Sequence, residues 1–321
     1  MAQSKIEWTD KVWNPILGCR HVSEGCRNCY AERMTIRLNA MAQASGNEEL
    51  WAACSDVLKF DYSEVETGKA KGFNGKVSLM TNRLHQPLHW KKPSKIFVNS
   101  MSDLFHEDVP FEFIIKVISV IQICEEHTFQ ILTKRSERAL SFFEYINGMI
   151  KSCGKACNMD DLIISNLWMG VSAENQHTFD QRRFYLSQIP TAVRFISIEP
   201  LLGNINFDFS EVGKRDWIIV GGESGPNARP MHPDWVRSIR DQCKEYKIPF
   251  MFKQWGEWIP SYNAGERSSE PGYYNKSIGD NWVKHYHQFP DGQGMVKVGK
   301  KKAGRLLDGK IYDEYPEVKN P

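Results

Sequence analysis

Seven short segments rich in apolar and β-branched residues recur along the chain, at 77–80, 96–99, 129–133, 167–171, 194–198, 217–220 and 250–252. A continuous apolar run closed by glycine or polar residues is the pattern of a strand buried on both faces, as in a parallel sheet. Helical patterns lie between several of them. Segment 111–124 places Phe113, Ile114, Val117, Ile118 and Ile121 on one stripe. Segments 136–149, 179–188 and 233–246 are further helix candidates, the last opened by Pro233 in the first turn. Strands alternating with helices make βαβ units and a parallel sheet. A first strand at 12–17 brings the count to seven or eight. That count predicts an α/β fold built as a full or partial (β/α) TIM-like barrel, with a doubly wound sheet as the alternative.

Two regions interrupt this rhythm. Residues 39–74 form an insertion, with a helix expected at 48–57 and a polar loop at 63–74. After residue 256 the alternation stops. We therefore expect a barrel-like domain over 1–256 and a β-rich or irregular C-terminal extension over 257–321, packed on the barrel. The extension holds turn-rich segments at 265–273 and 291–294 and the basic run Lys300-Lys301-Lys302, which reads as a solvated face. Of the 321 residues, 41% are hydrophobic and 25% charged, enough for a sizeable core. A net charge of +2 forces no nucleic-acid partner and leaves room for a local basic groove. The first residues lack the apolar core of a signal peptide, and no run of about eighteen apolar residues occurs. A cytoplasmic protein without a membrane partner is expected, in which cysteines serve as metal ligands or buried thiols.

The densest chemical signal is Gly18-Cys19 through Gly25-Cys26-Arg27-Asn28-Cys29, a C-x6-C-x2-C spacing in a turn-rich segment. Thiolates are the usual ligands of zinc and of iron–sulfur clusters. Buried thiols or a disulfide are the plain alternatives, and three cysteines within eleven residues favour a metal. Spacing does not choose the metal. A closed zinc site needs a fourth ligand, for which His21 is the candidate, whereas a cluster with one free iron uses Cys19, Cys26 and Cys29 alone.

In an α/β barrel the chemistry collects at the C-terminal ends of the strands. Here those ends carry Asn99, Ser100 and Asp103, then Lys134-Arg135, Glu174, Glu199, Gly221-Gly222-Glu223 and Lys253. Glu199, Glu223 and Lys134 are the catalytic candidates. Asn99, Ser100, Asp103, Glu174, Gly221, Gly222, Glu223 and Lys253 are candidates for contacts to a cofactor. The glycines suit close backbone approach to a phosphate or carboxylate, although the loop fits neither a P-loop nor a dinucleotide fingerprint. Asp10, His106 and Asp108 are weaker candidates for the same mouth. His85 and His89 flank Pro87, which opposes a shared helical face. Cys153 and Cys157 lack a second pair and read as structural thiols.

Ile6-Glu7-Trp8-Thr9-Asp10, Trp13-Asn14-Pro15, the three cysteines and Cys29-Tyr30-Ala31-Glu32 resemble the opening of the phage-associated three-cysteine-motif proteins. Ser197-Ile198-Glu199-Pro200-Leu201-Leu202-Gly203, Gly221-Gly222-Glu223-Ser224-Gly225, Phe252-Lys253-Gln254-Trp255-Gly256 and Gly304-Arg305-Leu306-Leu307-Asp308-Gly309 resemble the same family's later motifs. The pattern is also similar to the radical S-adenosylmethionine superfamily. That resemblance implies a 4Fe-4S cluster on the three cysteines and S-adenosylmethionine on its free iron, the source of a 5′-deoxyadenosyl radical. It differs in two respects: the superfamily's first gap is three residues, not six, and its Gly-Gly-Glu follows an early strand. Phage association points to a nucleic acid or nucleotide as substrate, for repair or modification. Trp255, Trp258 and Lys134-Arg135 are then candidates to stack bases and meet phosphates. The rival expectation is a zinc-binding, non-enzymatic module for a nucleic acid or partner protein.

Overall fold

The computed structural model of the protein describes residues 4, 6–61, 63, 69–207, 216–261 and 285–317. The turn-rich 265–273 and residues 64–68 of the polar loop expected at 63–74 lie outside them; the rest of that loop includes the strand Lys69–Phe73. The chain divides into two units, one comprising Met1–Ser172 and Arg182–Phe195, the other Ala173–Gln181 and Ile196–Glu317. Elements follow in the order β1 (Lys11–Trp13), β2 (Ile16–Leu17), α1 (Tyr30–Ala44), α2 (Glu48–Asp56), β3 (Leu58–Asp61), β4 (Lys69–Phe73), β5 (Ser78–Leu79) and β6 (Lys95–Val98). Then come α3 (Phe111–Ile123), β7 (Thr128–Thr133), α4 (Ser136–Ser152), β8 (Leu167–Ala173), α5 (Gln176–Leu186), β9 (Val193–Ile198), β10 (Asp216–Gly221), α6 (Pro233–Tyr246) and β11 (Phe250–Gln254). The chain ends with β12 (Trp258–Pro260), β13 (Tyr286–Gln288), β14 (Gly294–Lys297) and a single helical turn, Lys300–Ala303.

Seven strands form one sheet in the order β1-β6-β7-β8-β9-β10-β11. The pairs β1–β6, β6–β7, β7–β8 and β10–β11 are parallel. Each strand sits beside the next strand of this sheet in chain order, β2 to β5 being excursions between β1 and β6. A doubly wound sheet must reverse its order at a switch point, so the winding is that of a barrel. β1 and β11 end the order, which makes it a partial barrel.

The N-terminal segment departs from expectation. The strand expected at 12–17 is broken into β1 and β2 at Asn14-Pro15, because Pro15 has no N–H for a ladder. The segment expected at 77–80 is the two-residue β5, which pairs antiparallel with β2 outside the large sheet, Ile16 facing Leu79. Expected helix 111–124 is α3, with Phe113, Ile114, Val117, Ile118, Val120 and Ile121 buried. Each such side chain contributes about 1.5–3 kcal/mol on burial.

In the first unit the aromatic rings meet at the sheet. Trp8 lies 4.7 Å from Phe97 and 5.9 Å from Phe195, and Trp13 lies 5.9 Å from Phe129, between ring centroids. Gly170 in β8 makes room for this packing, since a Cβ there would stand 2.4 Å from the Phe195 ring. In the second unit α6 begins at His232, whose side chain accepts from Asp234 N, and ends at Lys247 in the left-handed region. β12, β14 and β13 form a three-stranded antiparallel sheet, the β-rich part of the C-terminal region. Lys300, Lys301 and Lys302 are exposed. Among the described residues no helix is long and apolar enough to cross a membrane.

Gly170→Ala is expected to lower the unfolding free energy by about 1–3 kcal/mol through overpacking, and Phe195→Leu in the same chain to restore part of it. Urea titration of the single and double variants checks this; equal stability of Gly170→Ala and the parent would refute the packing argument.

Candidate metal centre

The cysteine segment leaves β2 through Gly18, held at φ +87°, where a Cβ would fall 2.4 Å from Lys76 O and 2.7 Å from Val57. Only glycine fits that approach. Cys26 N donates to Ser23 O and Cys29 N to Cys26 O, coiling the segment tightly before α1 begins at Tyr30. All three cysteines are free and half-buried.

The loop after β6 holds this segment in place. Asn14 Oδ1 accepts from Ser100 Oγ at 3.1 Å and from Met101 N at 3.3 Å. Ser102 Oγ donates to Ile16 O at 3.0 Å, and Gly18 and Ser102 form a parallel bridge. The Tyr30 hydroxyl donates to Ser100 O.

Beneath the segment lies the end of β7. Asp103 is buried and its carboxylate accepts four hydrogen bonds: Phe105 N at 3.0 Å, Thr133 Oγ1 at 2.7 Å, Lys134 N at 3.1 Å and Arg135 Nη1 at 3.1 Å. Arg135, buried as well, reaches onward to Glu107 Oε1 at 2.9 Å, Arg20 O at 3.3 Å and Cys19 Sγ at 3.7 Å. Burial opposes the charge on Arg135, but Asp103 and Glu107 outweigh it and keep the guanidinium protonated. One side chain thus ties the end of β7 to the first cysteine.

Burial, then the Asp103 charge, push the Cys19 thiol up to about 12, with Arg135 pulling the other way. Cys29 is also raised by burial, against the pull of Lys134. Cys26 and Cys29 act on Cys19, and Cys26 acts on Cys29. The three thiols therefore lie in one another's field. Their donor chemistry fits a soft metal centre, and any such metal must displace protons to bind. The sulfurs are not drawn to one point: Cys19 Sγ is directed at Arg20 O, 3.6 Å away. Among the described residues no three His, Cys, Asp or Glu side chains are arranged around a common metal position. His21, the candidate fourth zinc ligand, is engaged with Glu32 Oε1 at 2.9 Å.

Of the other sequence candidates in the first unit, Ser100 and Asp103 are spent on structure, as is Asp10, whose carboxylate accepts from Lys95 N. Buried His106 accepts from Asp108 N through Nδ1. Lys134 has no ion pair among the described residues and its charge reaches Cys29. Asn99 stands out. It sits at φ 61°, 2% exposed, and neither its side-chain oxygen nor its nitrogen has a partner among the described residues. A buried amide left unmatched is costly unless a ligand meets it. His85 and His89 border a 3-10 turn around Pro87, not a helical face, and Cys153 and Cys157 are unpaired.

In the second unit the catalytic candidates are paired with protein. Glu199 meets Lys253 Nζ at 3.2 Å and accepts from Ser197 Oγ at 2.9 Å. Glu223 is clamped by Arg229, through Nε at 2.9 Å, Nη2 at 2.6 Å and the backbone N at 2.8 Å. Gly221 and Gly222 are required by packing: a Cβ would lie 2.3 Å from Glu199 Oε1 at the first and 2.0 Å from Trp255 O at the second. Buried Glu174 takes Thr178 Oγ1 on its backbone N–H. Trp255 and Trp258 are buried, their indole N–H groups given to Leu306 O and Ala228 O, so they are not stacking platforms. Arg135, read from sequence as a phosphate contact, is consumed internally. Arg135, Arg229 and Glu32 are the residues that sequence reasoning missed as organisers. Only the Lys134-Arg135 doublet after an apolar run hinted at the first.

Asp103→Asn is expected to cost about 1.5–3 kcal/mol, since Arg135 keeps Glu107 but loses its charged hydrogen bond to Asp103, whereas Lys134→Ala should stay within about 0.5 kcal/mol of the parent. Chemical denaturation of both variants separates a buried pair from an unpaired cation. A near-neutral Asp103→Asn would show that Arg135 does not depend on it.

Three structures of spore photoproduct lyase variants are similar to the chain at low level. A singly substituted variant aligns with TM-score 0.35 and 11% identity over 76% of this chain and 72% of that one. A variant with dinucleoside spore photoproduct gives TM-score 0.36 at 11% identity, over 76% and 72% of the two chains. A doubly substituted variant with bound AdoMet and dinucleoside spore photoproduct gives 0.29 at 11%, over 66% and 55%. No curated protein matches the chain. The family model described as "Protein of unknown function (DUF5131)" matches residues 3–316, so the chain belongs to that family.

Proposed function

We propose that the protein is a radical S-adenosylmethionine-type iron–sulfur enzyme acting on a nucleic acid or nucleotide. One observation carries the reading: Cys19, Cys26 and Cys29 are free thiols on one tightly coiled loop, with His21 engaged elsewhere. Three thiolates would hold a 4Fe-4S cluster and leave one iron for the amino and carboxylate groups of S-adenosylmethionine. Reduced by an external one-electron donor, such a cluster would supply one electron to the sulfonium of S-adenosylmethionine, whose C5′–S bond would break to give methionine and a 5′-deoxyadenosyl radical.

The chain's own residues prepare the place. Gly18 sets the entry angle of the cysteine loop, and Arg135 fixes the loop to the end of β7. Lys134, which has no ion pair among the described residues, brings its positive charge toward Cys29, which favours the thiolate form that a metal requires. Asn99 offers a buried donor and a buried acceptor at the end of β6, suited to a ligand with both functions. Glu199 with Lys253 and Glu223 with Arg229 are ion pairs, each available to a ligand only by exchange of its partner. The nucleotide substrate rests on the family resemblance to phage-associated proteins, an argument by analogy.

Anaerobic purification tests the reading. About four irons per chain, the content of one such cluster, and release of 5′-deoxyadenosine on reduction with S-adenosylmethionine are expected. Cys19→Ala, Cys26→Ala and Cys29→Ala should each lose most of the iron, while Cys153→Ala retains it. A colourless protein with one zinc per chain and no 5′-deoxyadenosine would replace this reading with the zinc-module alternative.

A further inference from the structure

We propose that a basic cavity beside the cysteine loop is a binding site for a phosphate-bearing nucleotide ligand. This rests on, and sharpens, the nucleotide part of the proposed function. The cavity, about 560 Å³, lies within the first unit and is lined from the cysteine loop by Arg20 and Arg27 and from the β3–β4 hairpin by Lys59 and Lys71. Cys19 lines it too, so a bound ligand lies next to the candidate metal centre. Its size is that of a small-ligand site.

The hairpin is built for this. Lys59 pairs with Gly72 and Phe60 with Ala70, which leaves Lys71 as the extra residue of a bulge. A bulge re-aims the side chain it displaces, and here Lys59 and Lys71 both reach the cavity wall. Gly72 leaves the wall opposite Lys59 without a side chain. That space holds the Glu32 carboxylate, 3.1 Å from where a Cβ would be.

Glu32 is the one carboxylate of the lining, and its Oε1 is already used by His21 at 2.9 Å and Phe73 N at 3.0 Å. The cations are less committed. Lys59 has no ion pair among the described residues. Among the described residues, Arg20 and Arg27 face carboxylates at 3.9 Å, on exposed side chains. Lys71 meets Asp61 at 2.9 Å, again with both side chains exposed, and exposed pairs hold weakly. Four cations line the cavity against one occupied carboxylate, and the acids that face three of them, Asp108, Glu24 and Asp61, are not part of the lining. That makes a site for a polyanion, and phosphate is an anion that arginine meets with two parallel hydrogen bonds and lysine as a point charge. The ligand is a nucleic-acid strand or a free nucleoside polyphosphate, which share that chemistry.

Fluorescence anisotropy of a labelled 12-nucleotide single strand, on the purified full chain with and without reconstituted iron, tests the site. ATP and inorganic phosphate serve as competitors. Lys59→Ala is expected to weaken binding three- to tenfold and to lower the slope of log K against log salt by about one; Lys59→Glu should weaken it further. Exposed Lys301→Glu, outside the cavity, should change affinity less than twofold, and circular dichroism should report unchanged folding for all three. ATP binding with the same Lys59 dependence, in place of the oligonucleotide, would assign the site to a mononucleotide and uphold it. No binding of either, or equal loss in Lys59→Ala and Lys301→Glu, would overturn it. Because binding is read without turnover, its failure is distinct from a failure of the iron and 5′-deoxyadenosine measurements.

Discussion

The buried pair of Asp103 and Arg135 is the constraint on which the cysteine loop depends. A carboxylate taken out of water needs several donors, and Asp103 gathers four of them from two separate loop ends. A guanidinium has five N–H donors in a fixed plane, and Arg135 spreads them over Asp103, Glu107, a backbone carbonyl and the sulfur of Cys19. The loop after β6, the end of β7 and the first cysteine are therefore one hydrogen-bonded body. A lysine at this position would satisfy the charge but not the geometry.

That body explains how a turn-rich segment with no regular structure can present reactive groups in a defined place. Gly18 turns the chain where any side chain would strike Lys76 and Val57, Asn14 and Ser102 bind it to the strand-end loop, and α1 starts directly after Cys29. The insertion that interrupts the barrel rhythm acts on the same segment. Glu32 on α1 binds both His21 and the backbone of β4, so the hairpin is fastened to the first turn beyond the cysteines. An insertion that looks like decoration in the sequence walls a charged cavity beside the candidate metal centre.

The second unit shows the converse. Its glycine-rich Gly221-Gly222-Glu223 has the composition of a ligand-binding loop, yet each residue answers a packing or pairing demand from nearby protein. Trp255 and Trp258 likewise bury their rings and spend their N–H groups on carbonyls. Loop composition records which contacts are permitted, and several partners can use the same permission.

The strand–helix alternation was legible in the chain because burial on both faces of a parallel sheet leaves continuous apolar runs, and an amphipathic helix leaves a stripe. The three cysteines were legible for a similar reason: their spacing is local, so neighbouring residues alone put them on one short loop. The break at Pro15 and the short β2–β5 pair were not, since which strand an apolar run pairs with is a long-range choice. Whether Arg135 faced solvent or Asp103, whether Glu223 was vacant or held by Arg229, and whether Lys71 joined Lys59 across a bulge depended on partners from six to more than thirty positions away. Pattern along a chain dictates local conformation and which residues prefer burial. Only the folded chain decides which distant charges meet, because an ion pair is set by distance in space, and beyond a helical turn sequence separation does not fix that distance.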